Sequence, residues 1–197
     1  MTIRHFIGYF LLLVVLGGCG SPLGGQSQPT NFYILTPLVA SDVVPPASMA
    51  NKSIRIGSVI LPPYLERPQI TGRATRERLE LAEYDRWGGK LGANFGRVLA
   101  ENLSKLLGTP RVSAHSSRGA GAPDVVVSIE VIRFGREPDG SVLLVARWRL
   151  AGRRGVPALV RLTEHSRSAE SGYDETVQAM SGVLGDFSKE LAGALAK

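Results

Sequence analysis

Cys19 is the only cysteine in the chain, and its thiolate form is the strongest nucleophile the sequence offers. With no second thiol it cannot close an internal disulfide, so it is read through an intermolecular bond, a reactive thiol or a modification. The three histidines add little: His5 lies near the N-terminus, His115 in a Ser-rich stretch, and His165 on an expected strand. No His-Glu-x-x-His and no Gly-x-Ser-x-Gly occurs, and "SRGAGAPD" at 117–124 lacks the Lys-Ser or Lys-Thr of a phosphate loop. A Ser-His-Asp set has no fixed order in sequence, and a hydrolase of that kind would need a serine near His115 or His165. The residue types favour a non-enzyme with neither cofactor nor metal.

The elements that position Cys19 favour modification. Arg4 supplies a positive start, and residues 6–16 are then apolar apart from Gly8 and Tyr9. A membrane-spanning helix needs about 20 apolar residues; this run is shorter and has the length of a signal-peptide core. Leu16, Gly17, Gly18 and Cys19 resemble the bacterial lipobox, Leu-x-Gly-Cys in outline. The resemblance implies a diacylglyceryl group on Cys19, cleavage before it, and acylation of the new amino terminus. One acyl chain binds a membrane only marginally, at about 0.8 kcal/mol per buried CH₂, whereas several chains anchor stably. Gly20 stands where an aspartate would retain an enterobacterial lipoprotein in the inner membrane, which implies the periplasmic face of the outer membrane. The expected organisation is a signal peptide over 1–18, a lipidated flexible tether over 19–30, and one domain over 31–197. The Gly, Ser, Pro and Gln of the tether cannot bury enough surface to fold, and its typical span is roughly 20 Å.

The formal charge of +6 suits solubility, anionic lipid head groups or an acidic partner. Arg147, Arg149, Arg153, Arg154 and Arg161 gather at one expected hairpin. Trp148 alternates inward there instead of offering a stacking face, so the cluster reads as solvated charge with no nucleic-acid partner.

The pattern predicts an α+β fold: a mostly antiparallel sheet packed against two amphipathic helices in a single domain. "NFYIL" at 31–35 and "KSIRIGSVIL" at 52–61 read as strands, the second with Ile54, Ile56 and Ile60 on one face. A helix is expected over 92–107, where Phe95, Val98, Leu99, Leu103, Leu106 and Leu107 form a stripe and Arg97, Glu101 and Lys105 the opposite side. Three strands over 125–134, 141–151 and 158–166, joined by short turns, predict an antiparallel meander. The second buries Val142, Leu144, Ala146, Trp148 and Leu150. A second helix is expected over 174–195, with Asp174 and Glu175 suiting its start.

"VILPPYLERPQITGR" at 59–73, followed by "YDRWGG" at 84–89, is the stretch whose residue types stand out. Its prolines make a stiff loop, and Tyr, Trp and Arg are common interface anchors. Tyr64, Leu65 and Trp87 equally suit a satellite core pinning the loop to its own sheet. Leu61, Pro62, Tyr64, Leu65, Arg67, Pro68, Gln69 and Trp87 are the candidate contact residues.

Those residues, with "FYIL" at 32–35 and "RVLAENLSKLL" at 97–107, resemble the auxiliary lipoproteins of ABC-type transport systems. The agreement centres on the family's Leu-Pro-x-Tyr-Leu-x-Arg-Pro-Gln pattern. The resemblance implies a non-enzymatic component of lipid transport, docking at the outer membrane onto the channel formed by an MCE-domain protein, with self-association as a ring. One departure stands out: the family's usual Ala-Glu-Pro-Leu after tryptophan is replaced by Gly88, Gly89, Lys90 and Leu91. The alternative reading is a periplasmic lipoprotein that carries a lipid in its own pocket.

Overall fold

The computed structural model describes residues 28–39, 49–114, 122–152 and 159–196. Cys19, the signal segment, most of the tether, His115, Arg153, Arg154 and Lys197 lie outside the described residues. The elements run β1 (Asn31–Tyr33), β2 (Ile54–Ile60), a 3₁₀ turn (Pro63–Leu65), β3 (Gln69–Arg73) and β4 (Leu79–Trp87). Then follow α1 (Leu91–Leu107), β5 (Val112–Ser113), β6 (Val125–Arg136), β7 (Ser141–Gly152), β8 (Leu159–Ser168) and α2 (Tyr173–Leu195).

The expected α+β class and both helices are present, but the strands divide into two mixed sheets. One has the order β5-β2-β6-β7-β8 and the other β1-β4-β3. β6, β7 and β8 form the expected antiparallel meander, whereas β2 pairs in parallel with both β5 and β6, and β1 in parallel with β4. The parallel pairs of β2 with β5 and β6 arise because α1 carries the chain between β2 and these strands, as a parallel connection requires, and the chain from β2 to β3 makes the corresponding crossover between β1 and β4.

The apolar stripes explain how the layers close. Phe95, Val98, Leu99 and Leu103 of α1 and Val183, Leu184, Phe187 and Leu191 of α2 are fully buried in one core with Val142, Leu144, Ala146 and Trp148 of β7, α1 packing on β2 and α2 on β7 and β8. Phe95 meets Phe134 edge-on, with ring centroids 5.5 Å apart, and lies 6.3 Å from Phe187. Gly108, at φ 63°, ends α1 in the left-handed conformation that glycine adopts without a Cβ penalty. Arg97 and Lys105 both pair with Glu101 on the outer side, at 3.5 and 3.0 Å.

Ile60 departs from the alternation expected for its strand. Ile54 and Ile56 are buried, but Ile60 is 58% exposed. The β2–β6 pairing shifts register between Ile56 and Val59, so the side chains beyond the irregularity exchange faces, and Leu61 enters the core instead. The β3–β4 hairpin is a second difference: part of the segment read as loop is strand, with Thr71, Gly72 and Arg73 opposite Leu81, Glu80 and Leu79. Gly135 lets the two sheets meet, because a Cβ there would stand 2.8 Å from Thr71 O.

Candidate functional site

Pro62 and Pro63 end β2 and begin the 3₁₀ turn that shapes the loop. Neither proline can donate to a ladder, and Pro63 takes the first position of the turn, where no donor is needed. Leu65 and Glu66 donate their N–H groups to Pro62 O and Pro63 O at 2.9 and 3.2 Å. β3 then brings Gln69 opposite Arg86, and Trp87 N–H donates to Pro68 O at 2.7 Å. The loop and the tryptophan therefore form one unit, as their shared place in the sequence pattern suggested.

Within that unit the residues divide by burial. Leu61, Leu65 and Trp87 belong to the core, Trp87 being only 5% exposed. Tyr64 is half-buried in a small hollow beside Arg73, Arg133 and Glu137. Burial raises its phenol above the usual range, and the Arg73 guanidinium opposes part of that shift. Its carbonyl accepts from the buried Thr71 hydroxyl at 3.4 Å. Pro62 and Gln69 are intermediate, and Pro63, Glu66, Arg67 and Pro68 are exposed. The surface that a partner can reach is thus the Pro63–Pro68 edge, with Tyr64 facing its own fold.

A second feature was not anticipated from the pattern. Residues 34–38, directly after β1, lie across α1 and α2 and are held through their backbone. Leu35 N–H donates to Asn94 Oδ1 at 2.6 Å, Thr36 N–H to Ser181 Oγ at 3.1 Å, and Leu38 N–H to Asn102 Oδ1 at 2.8 Å. Lys105 Nζ donates to Leu38 O at 2.9 Å, and Asn102, which is fully buried, also donates to Ser188 Oγ at 3.0 Å. Gly185 makes room: a Cβ there would stand 2.6 Å from Leu38 Cδ2. The signal for this strap is polar residues on apolar stripes, Asn102 on α1 and Ser181 and Ser188 on α2. Tyr33, just before it, donates its hydroxyl to Asp85 at 3.2 Å, and burial with the charges of Asp174 and Asp85 pushes its pKa up to about 12.

His165 lies 2.9 Å from Glu190 Oε2 and edge-on to Phe187, which gives it a structural place between β8 and α2. The arginines expected to cluster divide between two faces. Arg147 pairs with Glu130 at 2.6 Å on the outer face, while Arg161 lies over the buried Trp148 ring on the other. Among the described residues no helix is long and apolar enough to cross a membrane, and no three His, Cys, Asp or Glu side chains are grouped to hold a metal.

The fold and this site define a class: an α+β domain whose N-terminal segment is strapped across two helices and whose proline-rich loop closes on a buried tryptophan. Residues 33–192 match the family of ABC-type transport auxiliary lipoprotein components, and the chain belongs to that family. It is a family of transport auxiliaries and not of enzymes. The chain is 25% identical over 177 residues to the intermembrane transport lipoprotein PqiC of Escherichia coli (strain K12), covering 90% of each chain. The protein of the same name in Shigella flexneri gives the same figures. Among solved structures, an uncharacterized protein superposes with a TM-score of 0.71 at 20% identity, over 85% of this chain and 99% of that one. A Xanthomonas campestris protein does so at 0.68 and 15% identity, over 84% and 95%. These two likenesses establish the fold.

Proposed function

We propose that this chain is an outer-membrane-anchored subunit of an intermembrane lipid transport system, docking a periplasmic MCE-domain channel to that membrane. Cys19 carries the lipid anchor, residues 19–30 give reach, and the domain presents the Pro63–Pro68 edge. The observation that carries the reading is the way this edge is held. Leu61, Leu65 and Trp87 fix it from beneath, and Pro68 O accepts from Trp87 N–H, so a partner meets a surface that is already ordered. Preordered surfaces lose little entropy on binding. Family membership and the PqiC relatives, named as intermembrane transport lipoproteins, support a place in such a system. The contact is assigned to Pro63, Glu66, Arg67 and Pro68, with Leu61, Leu65 and Trp87 as support.

In-cell crosslinking from a photoreactive residue at Arg67, with Cys19 intact, tests the assignment. Capture of an MCE-domain protein is the expected result. Capture of copies of the same chain alone would make this edge a ring interface. A correctly anchored, folded protein that captures neither would remove the edge from the assembly.

A further inference from the structure

Directly beyond Trp87 the chain runs Gly88-Gly89-Lys90 into α1, and above this stretch lies an open cleft of about 700 Å³. That volume is in the range of ligand sites, about 300–1,000 Å³. The walls that matter are Tyr33, Ile34 and Ala93 on the apolar side, with the buried Trp87 and Leu91 beneath them, and Lys90 and Arg97 on the charged side. Gly89 leaves the cleft open, since a Cβ there would meet nothing within 4 Å. Ile34, which lies against Gly88, is 56% exposed.

The charges are one-sided. Among the described residues that line the cleft none is a carboxylate. Arg97 is held loosely, with Glu101 at 3.5 Å and Leu35 O at 3.4 Å. The carbonyl of Lys90, at the exposed entry to α1, accepts from Asn94 N–H at 3.1 Å, while its ammonium takes no part in the hydrogen bonds or ion pairs formed among the described residues. An ammonium and a guanidinium beside an apolar wall match an anionic head group joined to a hydrocarbon chain.

The route of the chain supplies the source of that ligand. Tyr33 and Ile34, which line the cleft, follow the 19–30 tether after only Asn31 and Phe32. Between Cys19 and Tyr33 the chain reaches at most about 50 Å at roughly 3.5 Å per residue, so a lipidated Cys19 keeps this cleft near the bilayer.

We propose that the cleft over Gly88 and Gly89 holds one anionic phospholipid of the anchoring membrane, its phosphate between Lys90 and Arg97 and its acyl chain along Tyr33, Ile34 and Ala93. The proposal rests on the lipoprotein reading only for the source of the lipid. It makes lipid contact a property of the docking subunit, at a place separate from the Pro63–Pro68 edge.

The test uses the full chain in detergent micelles and phosphatidylglycerol bearing a photoreactive acyl chain, with labelled peptides mapped. Label, resolved to single residues, should concentrate on Tyr33, Ile34 and Ala93. Unlabelled phosphatidylglycerol should compete at least about fivefold better than phosphatidylcholine, a preference that rests on the head-group charge. Gly89→Trp places a side chain in open space and should cut labelling at least about tenfold with an unchanged melting temperature, because it fills the cleft. Lys90→Glu should abolish the preference for the anionic lipid. Undiminished labelling of Gly89→Trp, equal competition by the two lipids, or label spread to the exposed Val160 and Leu162 of β8, as by general adsorption, would each overturn the proposal. Gly89→Trp should leave capture from Arg67 intact, so failure here and failure of the docking reading are separable.

Discussion

Trp87 and Pro68 are joined by a 2.7 Å backbone hydrogen bond, donated by the tryptophan N–H to the proline carbonyl. It ties the end of β4 to the end of the proline-rich loop, and it places a residue that resembles an interface anchor in the core. Residue type alone left Trp87 open between partner contact and satellite core; its burial puts it in the core, beneath the exposed Pro63–Pro68 edge.

That division of labour predicts two kinds of mutant. Leu65→Ala should cost about 2–5 kcal/mol of stability, the usual cost of emptying a buried leucine site, read by chemical denaturation. Glu66→Ala should stay within about 0.5 kcal/mol of the parent and yet lower partner capture from the photoreactive residue at position 67 in cells. A Glu66→Ala variant that still captured its partner at full yield would remove that side chain from the contact.

The strap over the helices makes a separate prediction. Asn102→Leu leaves Leu38 N–H without its partner, while Ser188 Oγ still donates to Leu184 O, and an unsatisfied buried polar group costs about 1–3 kcal/mol. Hydrogen exchange should quicken at Leu35 and Leu38 before it does so in β7. Equal quickening everywhere would mean that the strap unfolds only with the whole domain.

Gly135→Ala should destabilise by roughly 1–3 kcal/mol, as overpacking does. The new methyl would meet Thr71 O, a backbone atom of the other sheet that cannot rotate away. Thermal unfolding would show whether the junction between the sheets gives way first.

Arg167 Nε and Nη2 donate to Asp186 Oδ2 and Oδ1 at 2.7 and 2.9 Å. These bonds hold the Asp186 carboxyl below its usual range, with Lys189 adding to the effect. The folded chain therefore binds this proton less readily than the unfolded one. The pair's contribution is complete above about pH 4, the ordinary carboxylate value, and drains away as the pH falls through the lowered value. The side chains are partly exposed, so Asp186→Asn should cost only about 0.2–1 kcal/mol at pH 7. It should also flatten the acid limb of a stability profile measured from pH 6 to pH 2.

Much of the α+β fold was legible because it follows period. The stripe from Phe95 to Leu107, the alternation of Val142 to Leu150 and the spacing of Val177, Met180, Leu184 and Phe187 all found the core they imply. Partnership was less legible. Nothing local says that β2 lies parallel to β6 or that an irregularity before Val59 turns Ile60 outward, because register belongs to a pair of strands. The loop residues were found by type, but burial separated Trp87 from Arg67, and burial depends on β3 and β4. Asn102, Ser181 and Ser188 were visible as polar breaks in apolar stripes; their meaning required the strap that they bind.

The pairing of β1 with β4 has a mechanical consequence. The two strands run in parallel, with Asn31 opposite Asp85 and Tyr33 opposite Trp87. A pull on the N-terminus, opposed at the loop beside Trp87, acts on opposite ends of the two strands. Their hydrogen bonds then carry the load side by side in shear, instead of opening one at a time like a zip. Behind this short strand pair, the bonds from Asn94, Ser181 and Asn102 to the next residues form a second grip. A domain tethered at one end and gripped at the other would in this way resist tension along the line in which tension arrives.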